Sequence, residues 1–195
     1  MQVIKFRPIS LCNVIYKLIS KVLANRLKSL LPSIVSENQS AFQARRVITD
    51  NILMAFEILH YMKTQQNGST GFMALKLDMS KAYDRVEWSF LDCLLRKLGF
   101  HSRWVDLMME CITTVSYSIL INGEPSQTIY PSRGLRQGDP ISPYLFLLIT
   151  EGLHGLISKA ATSGDIRGIS ICRNGPRLTH LFFADDSLLF CRAFI

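Results

Sequence analysis

The chain has 195 residues, of which 48% are hydrophobic and 19% charged; that composition describes a globular protein with enough chain for a buried core, and excludes a disordered segment. No apolar run reaches the roughly 18–20 residues that a membrane span needs, and the N-terminus shows no apolar core ahead of a small-residue cleavage site. The net charge of +7 is unevenly placed: residues 1–46 hold eight basic residues against Glu37 alone, and the rest carries 14 basic and 14 acidic residues.

That surplus marks a basic lobe suited to phosphate. Cys12, Cys93, Cys111, Cys172 and Cys191 are odd in number and not closely paired. Such usage speaks against a disulfide framework or a zinc site and for a reducing, intracellular compartment, nuclear or cytoplasmic, not a secreted protein.

In chain order, Leu11, Ile15, Leu18, Val22, Leu27 and Leu30 predict an amphipathic helix ending before Pro32, with Lys17, Lys21 and Lys28 off its apolar stripe. Residues 36–46 are polar and read as irregular. A second helix is expected from Asp50 to Lys63, with Ile52, Phe56, Leu59 and Met62 on its apolar side. Residues 65–71 are turn-rich and the best candidate for a subdomain boundary.

Met73, Leu75 and Leu77 then alternate with Ala74, Lys76 and Asp78, the period of a strand. Asp78 ends it, on the face opposite the leucines. Helices follow from Glu87 to Leu98, with Gly99 at the C-cap, and from Arg103 to Thr113, capped by Ser102. Val115–Ile121 and Thr128–Tyr130 read as strands around Asn122-Gly123, a hairpin signal. A helix is expected from Ser142 to Ala160. Ile169–Cys172 and Leu178–Phe183 flank a second hairpin signal, Asn174-Gly175. The elements intermix without βαβ alternation, which predicts an α+β fold with helices on one face of a sheet. His60, His101, His154 and His180 are scattered and read as structural.

Three segments carry chemistry. In Leu181–Phe190, two adjacent carboxylates, Asp185 and Asp186, sit between apolar runs where a hairpin would turn. Paired carboxylates repel, and a hard divalent cation such as Mg²⁺ relieves that repulsion. Asp78 is a second acidic site for the same metal if its strand neighbours the hairpin; two ions about 3.5–4 Å apart need shared carboxylates of this kind. Asp186 is the weaker ligand candidate, because successive strand side chains point to opposite faces. Between them, Arg133-Gly134-Leu135-Arg136-Gln137-Gly138-Asp139 combines donors with glycines that allow close backbone approach, ahead of a helix N-terminus.

These segments, in this order after Arg7–Lys17, resemble the reverse transcriptase domain of LINE-type retrotransposons, those without long terminal repeats, and most closely the plant members. The resemblance runs from about Phe6 to Phe190, nearly the whole chain. It implies a polymerase palm sheet with the acidic hairpin, a mainly helical fingers lobe and no thumb. The implied division is residues 1–71 fingers and basic lobe, 72–113 palm with the first catalytic Asp, 114–139 fingers hairpin and nucleotide loop, and 140–195 palm with the Phe-Ala-Asp-Asp hairpin.

The resemblance also implies roles. Asp78, Asp185 and Asp186 are the catalytic residues and hold two Mg²⁺ ions, or Mn²⁺. Tyr83 lies beneath the sugar and excludes a 2′-hydroxyl. Gln137, Gly138 and Arg46 meet the nucleotide; Arg133, Arg136, Lys17, Lys21 and Lys28 meet nucleic acid. Relatives usually carry Pro-Gly before the arginine, where this chain has Ala44-Arg45. The implied activity is RNA-directed DNA polymerisation from deoxynucleoside triphosphates, on an RNA template and a DNA primer. The alternative is a truncated, inactive relic that retains weak nucleic-acid binding. The extent of the chain favours that alternative for the isolated residues 1–195, for which no primer extension is expected. A Mg²⁺-dependent phosphohydrolase fits the glycine- and arginine-rich segment poorly.

Overall fold

The computed structural model describes residues 9–43, 46–65, 71–173 and 175–193. Parts of several expectations, at Arg7-Pro8, Ala44-Arg45, residues 66–70, Asn174 and residues 194–195, lie outside the described residues. The chain folds as two compact units. The first joins the residues up to Ser29 with Lys81–Phe146; the second joins Leu30–Ser80 with the residues from Leu147 onward.

The helices are α1 (Val14–Ile34), α2 (Ile48–Thr64), α3 (Trp88–Lys97), α4 (Ser102–Thr113) and α5 (Ser142–Ser163). Helix α1 passes through Pro32 instead of ending before it. Proline removes only its own N–H, and here that loss falls in the last turn, where Val35 N–H still reaches the Leu31 carbonyl at 2.8 Å. The buried face of α1 is Ser20, Leu23, Ala24, Leu27 and Leu31. Leu11, Ile15, Leu18 and Val22 of the expected stripe are exposed. The helix is apolar around most of its circumference, so periodicity alone does not choose a face. In α2 the choice also reverses: Ala55 and Ile58 are buried, while Ile52, Phe56 and Leu59 are exposed.

Helix α3 ends as expected at Gly99, whose φ is 87°. Its N–H reaches the Arg96 carbonyl at 3.1 Å and Phe100 N–H reaches Leu95 at 3.2 Å, the paired bonds of a Schellman motif. The cap of α4 is His101 and not Ser102; the His101 ring nitrogen accepts the Arg103 N–H at 3.3 Å.

Strand β1 (Gly71–Asp78) pairs antiparallel with β5 (Asp186–Ala193), which pairs antiparallel with β4 (His180–Phe183). The second unit has its apolar core here: Ala55 and Ile58 from α2 pack on Leu181 and Phe190, flanked by Phe72 and Leu188. His180 and Phe182 point to the opposite face of β4. There the His180 ring shares a hydrogen bond of 2.8 Å with His154 of α5. Helices therefore cover both faces of β4, where one face was expected. Burial, and His154 beside it, hold the His180 ring well below the ordinary histidine value, at about 4.

The Asn122-Gly123 hairpin forms, with both residues at positive φ, but its strands are short: β2 (Leu120–Ile121) and β3 (Glu124–Pro125), plus one bridge between Tyr117 and Ile129. A single bridge between Ile169 and Leu178 stands where the second hairpin was expected. Within the segment expected to be irregular, residues 36–43 are more ordered than their composition suggests, because Gln39 forms a parallel bridge with Phe182 on the edge of β4.

Candidate active site

The acidic hairpin belongs to the second unit. Phe183 pairs with Asp186, leaving Ala184 and Asp185 as the turn, with Ala184 at φ 53°. The β1–β5 register sets Asp78 directly opposite Asp186. Directly paired residues on antiparallel strands share a face, with Cα atoms about 4.5–5.5 Å apart, and like charges so placed destabilise the sheet. The Lys76 ammonium lies 3.3 Å from Asp186 and offsets part of that repulsion. Both are exposed, so the pair itself adds little stability. The sheet thus brings Asp78 to Asp186, while Asp185 takes the adjoining turn position. Among the described residues, no cluster of three or more His, Cys, Asp or Glu side chains is arranged to hold a metal ion. Two facing carboxylates with a third next in sequence still suit a hard oxygen-seeking cation.

Arg46 is also in this unit. Its guanidinium donates to the carbonyl oxygens of Ser36, of Gln39 at 2.7 Å and of Val35 at 3.5 Å. The arginine expected at the triphosphate thus clamps the backbone of residues 35–39.

The first unit holds the remaining candidates. Tyr83 opens a 3₁₀ turn, Tyr83–Arg85, and its half-buried ring stacks on the buried Phe146, with centroids 5.0 Å apart and planes 13° apart. The turn is laced to the glycine-rich segment. Leu135 N–H donates to the Tyr83 carbonyl and Gly134 N–H to the Val86 carbonyl, both at 2.8 Å, and Trp88 Nε1–H donates to the Gly134 carbonyl at 2.8 Å. Gly134 has φ 98°, and a Cβ there would lie 3.2 Å from the Asp84 carbonyl oxygen. The positive φ favours glycine, and the close approach of the Asp84 backbone leaves little room for a side chain. Gln137 and Gly138 form a turn whose Gln137 carbonyl accepts the Ser10 N–H at 2.9 Å.

Arg136 is committed to protein. It lies 3.2 Å from the Asp139 carboxylate, donates to the Cys111 carbonyl at 2.6 Å and stacks over the Tyr16 ring, 3.9 Å from its centroid. Asp139 is buried and also accepts from the hydroxyls of Tyr16 and Ser20. Burial first, and then the Asp139 acceptor, raise the Tyr16 hydroxyl far above its ordinary range. Sequence reasoning missed this network. The only signal was an aspartate beside a glycine turn at the start of an apolar helix. Arg133 makes an exposed ion pair with Glu87 at 3.1 Å. Lys17, Lys21 and Lys28 are exposed on α1.

The profile of the family described as reverse transcriptase (RNA-dependent DNA polymerase) matches residues 2–193. The transposon TX1 149 kDa protein of Xenopus laevis is 30% identical over 184 residues, which is 94% of this chain and 14% of that protein. A Pol polyprotein from the type-2 retrotransposable element R2DM of Drosophila melanogaster is 30% identical over 185 residues, 95% of this chain and 16% of that protein. An uncharacterized mitochondrial protein of Arabidopsis thaliana is 56% identical over 68 residues, 35% of this chain and 56% of that protein, which supports the plant affinity. Among solved structures, telomerase from Candida albicans with a fragment of telomeric RNA superposes with a TM-score of 0.55 at 15% identity, covering 90% of this chain and 30% of that one. That likeness bears out the palm-and-fingers fold class. The chain thus spans a small part of its retrotransposon relatives, and from residue 2 to residue 193 it belongs to the reverse transcriptase family.

Proposed function

We propose that this chain is the nucleotide-adding part of an RNA-directed DNA polymerase, joining deoxynucleoside triphosphates to the 3′-hydroxyl of a DNA primer on an RNA template inside the cell. The observation that carries the reading is the register that sets Asp78 opposite Asp186, with Asp185 in the adjoining turn. Asp78, Asp185 and Asp186 are the residues that would hold two Mg²⁺ ions, or Mn²⁺. Bound there, such ions lower the pKa of the attacking hydroxyl and neutralise charge on the triphosphate. Tyr83, braced by Phe146, is the candidate bar to a 2′-hydroxyl; the Gln137–Gly138 turn and Arg46 are the candidate nucleotide contacts. The β1–β5–β4 sheet is the candidate palm, and α1 a fingers element.

The test is calorimetric titration of residues 1–195 with a deoxynucleoside triphosphate, with and without Mg²⁺. Mg²⁺-dependent binding that disappears in Asp78→Asn is expected. Binding indifferent to Mg²⁺ or to Asp78→Asn would overturn the reading. Primer extension on an RNA template, with the Asp185→Asn, Asp186→Asn double variant as blank, then separates the roles. Extension above the blank assigns catalysis to these residues alone. A signal at the blank level, with nucleotide binding intact, leaves catalysis to a longer chain.

Lys17, Lys21 and Lys28 lie along one side of α1, as their spacing of four and seven residues requires. Nucleic-acid binding is therefore expected to be salt-dependent and largely indifferent to sequence. On duplex DNA each neutralised phosphate contributes about 0.9 to the slope of log K against log salt. Changing the three lysines to glutamate should flatten that slope by about 2.7 if each meets a phosphate. An unchanged slope would place the binding surface elsewhere.

A further inference from the structure

We propose that Gln39 is a positioning residue for the acidic hairpin: its side chain fixes the backbone turn that presents Asp185 and Asp186. The inference rests on the metal-site reading above. Gln39 is fully buried. Its amide oxygen accepts two backbone N–H groups, Ala41 at 3.0 Å and Ala184 at 3.2 Å, and its amide nitrogen donates to the Thr150 hydroxyl at 3.3 Å. Ala184 is the residue immediately before Asp185 and stands at φ 53°, a conformation alanine adopts only when its surroundings hold it there. The Gln39 oxygen is the partner that holds its N–H.

The rest of the segment makes this hold rigid. Phe182 N–H donates to the Asn38 carbonyl at 2.7 Å, and Ser40 N–H donates to the Phe182 carbonyl at 3.1 Å. Asn38 and Asn51 side chains donate to the carbonyls of His180 at 2.7 Å and Phe182 at 2.9 Å. The free edge of β4 is thereby closed up to the turn. Arg46 reaches the same assembly through the Gln39 carbonyl. Arg46 therefore acts on the hairpin by holding the segment that carries Gln39. A buried amide with both acceptor directions filled specifies one geometry, because a shift of the turn would strand a buried oxygen.

The experiment uses residues 1–195 and two readouts, amide hydrogen exchange followed by NMR and Mn²⁺ affinity by electron paramagnetic resonance. Gln39→Met keeps the length of the side chain and removes the oxygen that accepts both N–H groups, together with the NH₂ that donates to Thr150. Exchange at Ala184 should accelerate at least tenfold, with Ile58 and Phe190 unchanged, and Mn²⁺ affinity should fall at least several-fold. Gln39→Glu retains an acceptor oxygen toward both N–H groups and should keep Ala184 protected. Unchanged Ala184 exchange in Gln39→Met overturns the proposal. Faster exchange with unaltered Mn²⁺ affinity overturns it as well, since the turn would then be free to move without cost to the site. If wild type binds no Mn²⁺, the metal reading fails and Ala184 exchange alone decides whether Gln39 fixes the turn. If neither variant folds, wild type decides: Ala184 should exchange far more slowly than Asp185, and equal rates overturn the proposal.

Discussion

Asp139→Ala should destabilise the first unit by about 3–5 kcal/mol, the cost of breaking a buried ion pair by removing one partner. Asp139 is fully enclosed, and the Arg136 side chain is only 10% exposed. Without the carboxylate, Arg136 keeps the Cys111 carbonyl and the Tyr16 ring but has no counter-charge. The Tyr16 and Ser20 hydroxyls lose their acceptor in the same step. Asp139→Asn retains an acceptor oxygen and should cost less than Asp139→Ala. Urea unfolding followed by circular dichroism gives both values. A loss below about 1 kcal/mol, the scale of an exposed ion pair, would mean that Arg136 swings to water and the network is not a buried one.

Phe190→Ala should cost the second unit a similar amount, about 3–5 kcal/mol. Phe190 is fully buried in β5, against Ala55, Ile58 and Leu181. Phe190 lies mid-strand in the same β5 that begins with Asp186. Phe190→Leu preserves most of the volume and should lose less. Since whole domains are stable by only about 5–15 kcal/mol, the alanine variant should unfold at much lower urea. Equal midpoints for wild type and Phe190→Ala would contradict the packing described here.

What the sequence made legible was local. Period-two alternation put Asp78 at a strand end and on the face opposite Met73, Leu75 and Leu77. A pair of acids between two apolar runs gave the hairpin. Asn122-Gly123 and Gly99 carried their own backbone requirements. What stayed hidden joins residues far apart in the chain. Gln39 reaches Ala184 across 145 positions and Tyr16 reaches Asp139 across 123. No periodicity encodes a side chain that meets one distant N–H or carboxylate. The two arginines show the same limit. Arg46 and Arg136 have the chemistry of phosphate ligands, yet here their forks bind carbonyls and a carboxylate. The face of α1 was hidden for a different reason: its apolar residues surround the axis, and only packing decides which of them are buried.

Mn²⁺ binding to residues 1–195, titrated by electron paramagnetic resonance against Asp78→Asn and Asp186→Asn, shows whether the facing carboxylates hold a metal ion. The two carboxylates stand opposite each other in the β1–β5 register, so each variant removes half of the facing pair. Wild type is expected to bind and both variants to lose binding, with a urea midpoint that is not lowered, because Asp78 and Asp186 are exposed and each variant relieves their mutual repulsion. Equal Mn²⁺ affinity in wild type and in Asp78→Asn would contradict the metal-site reading.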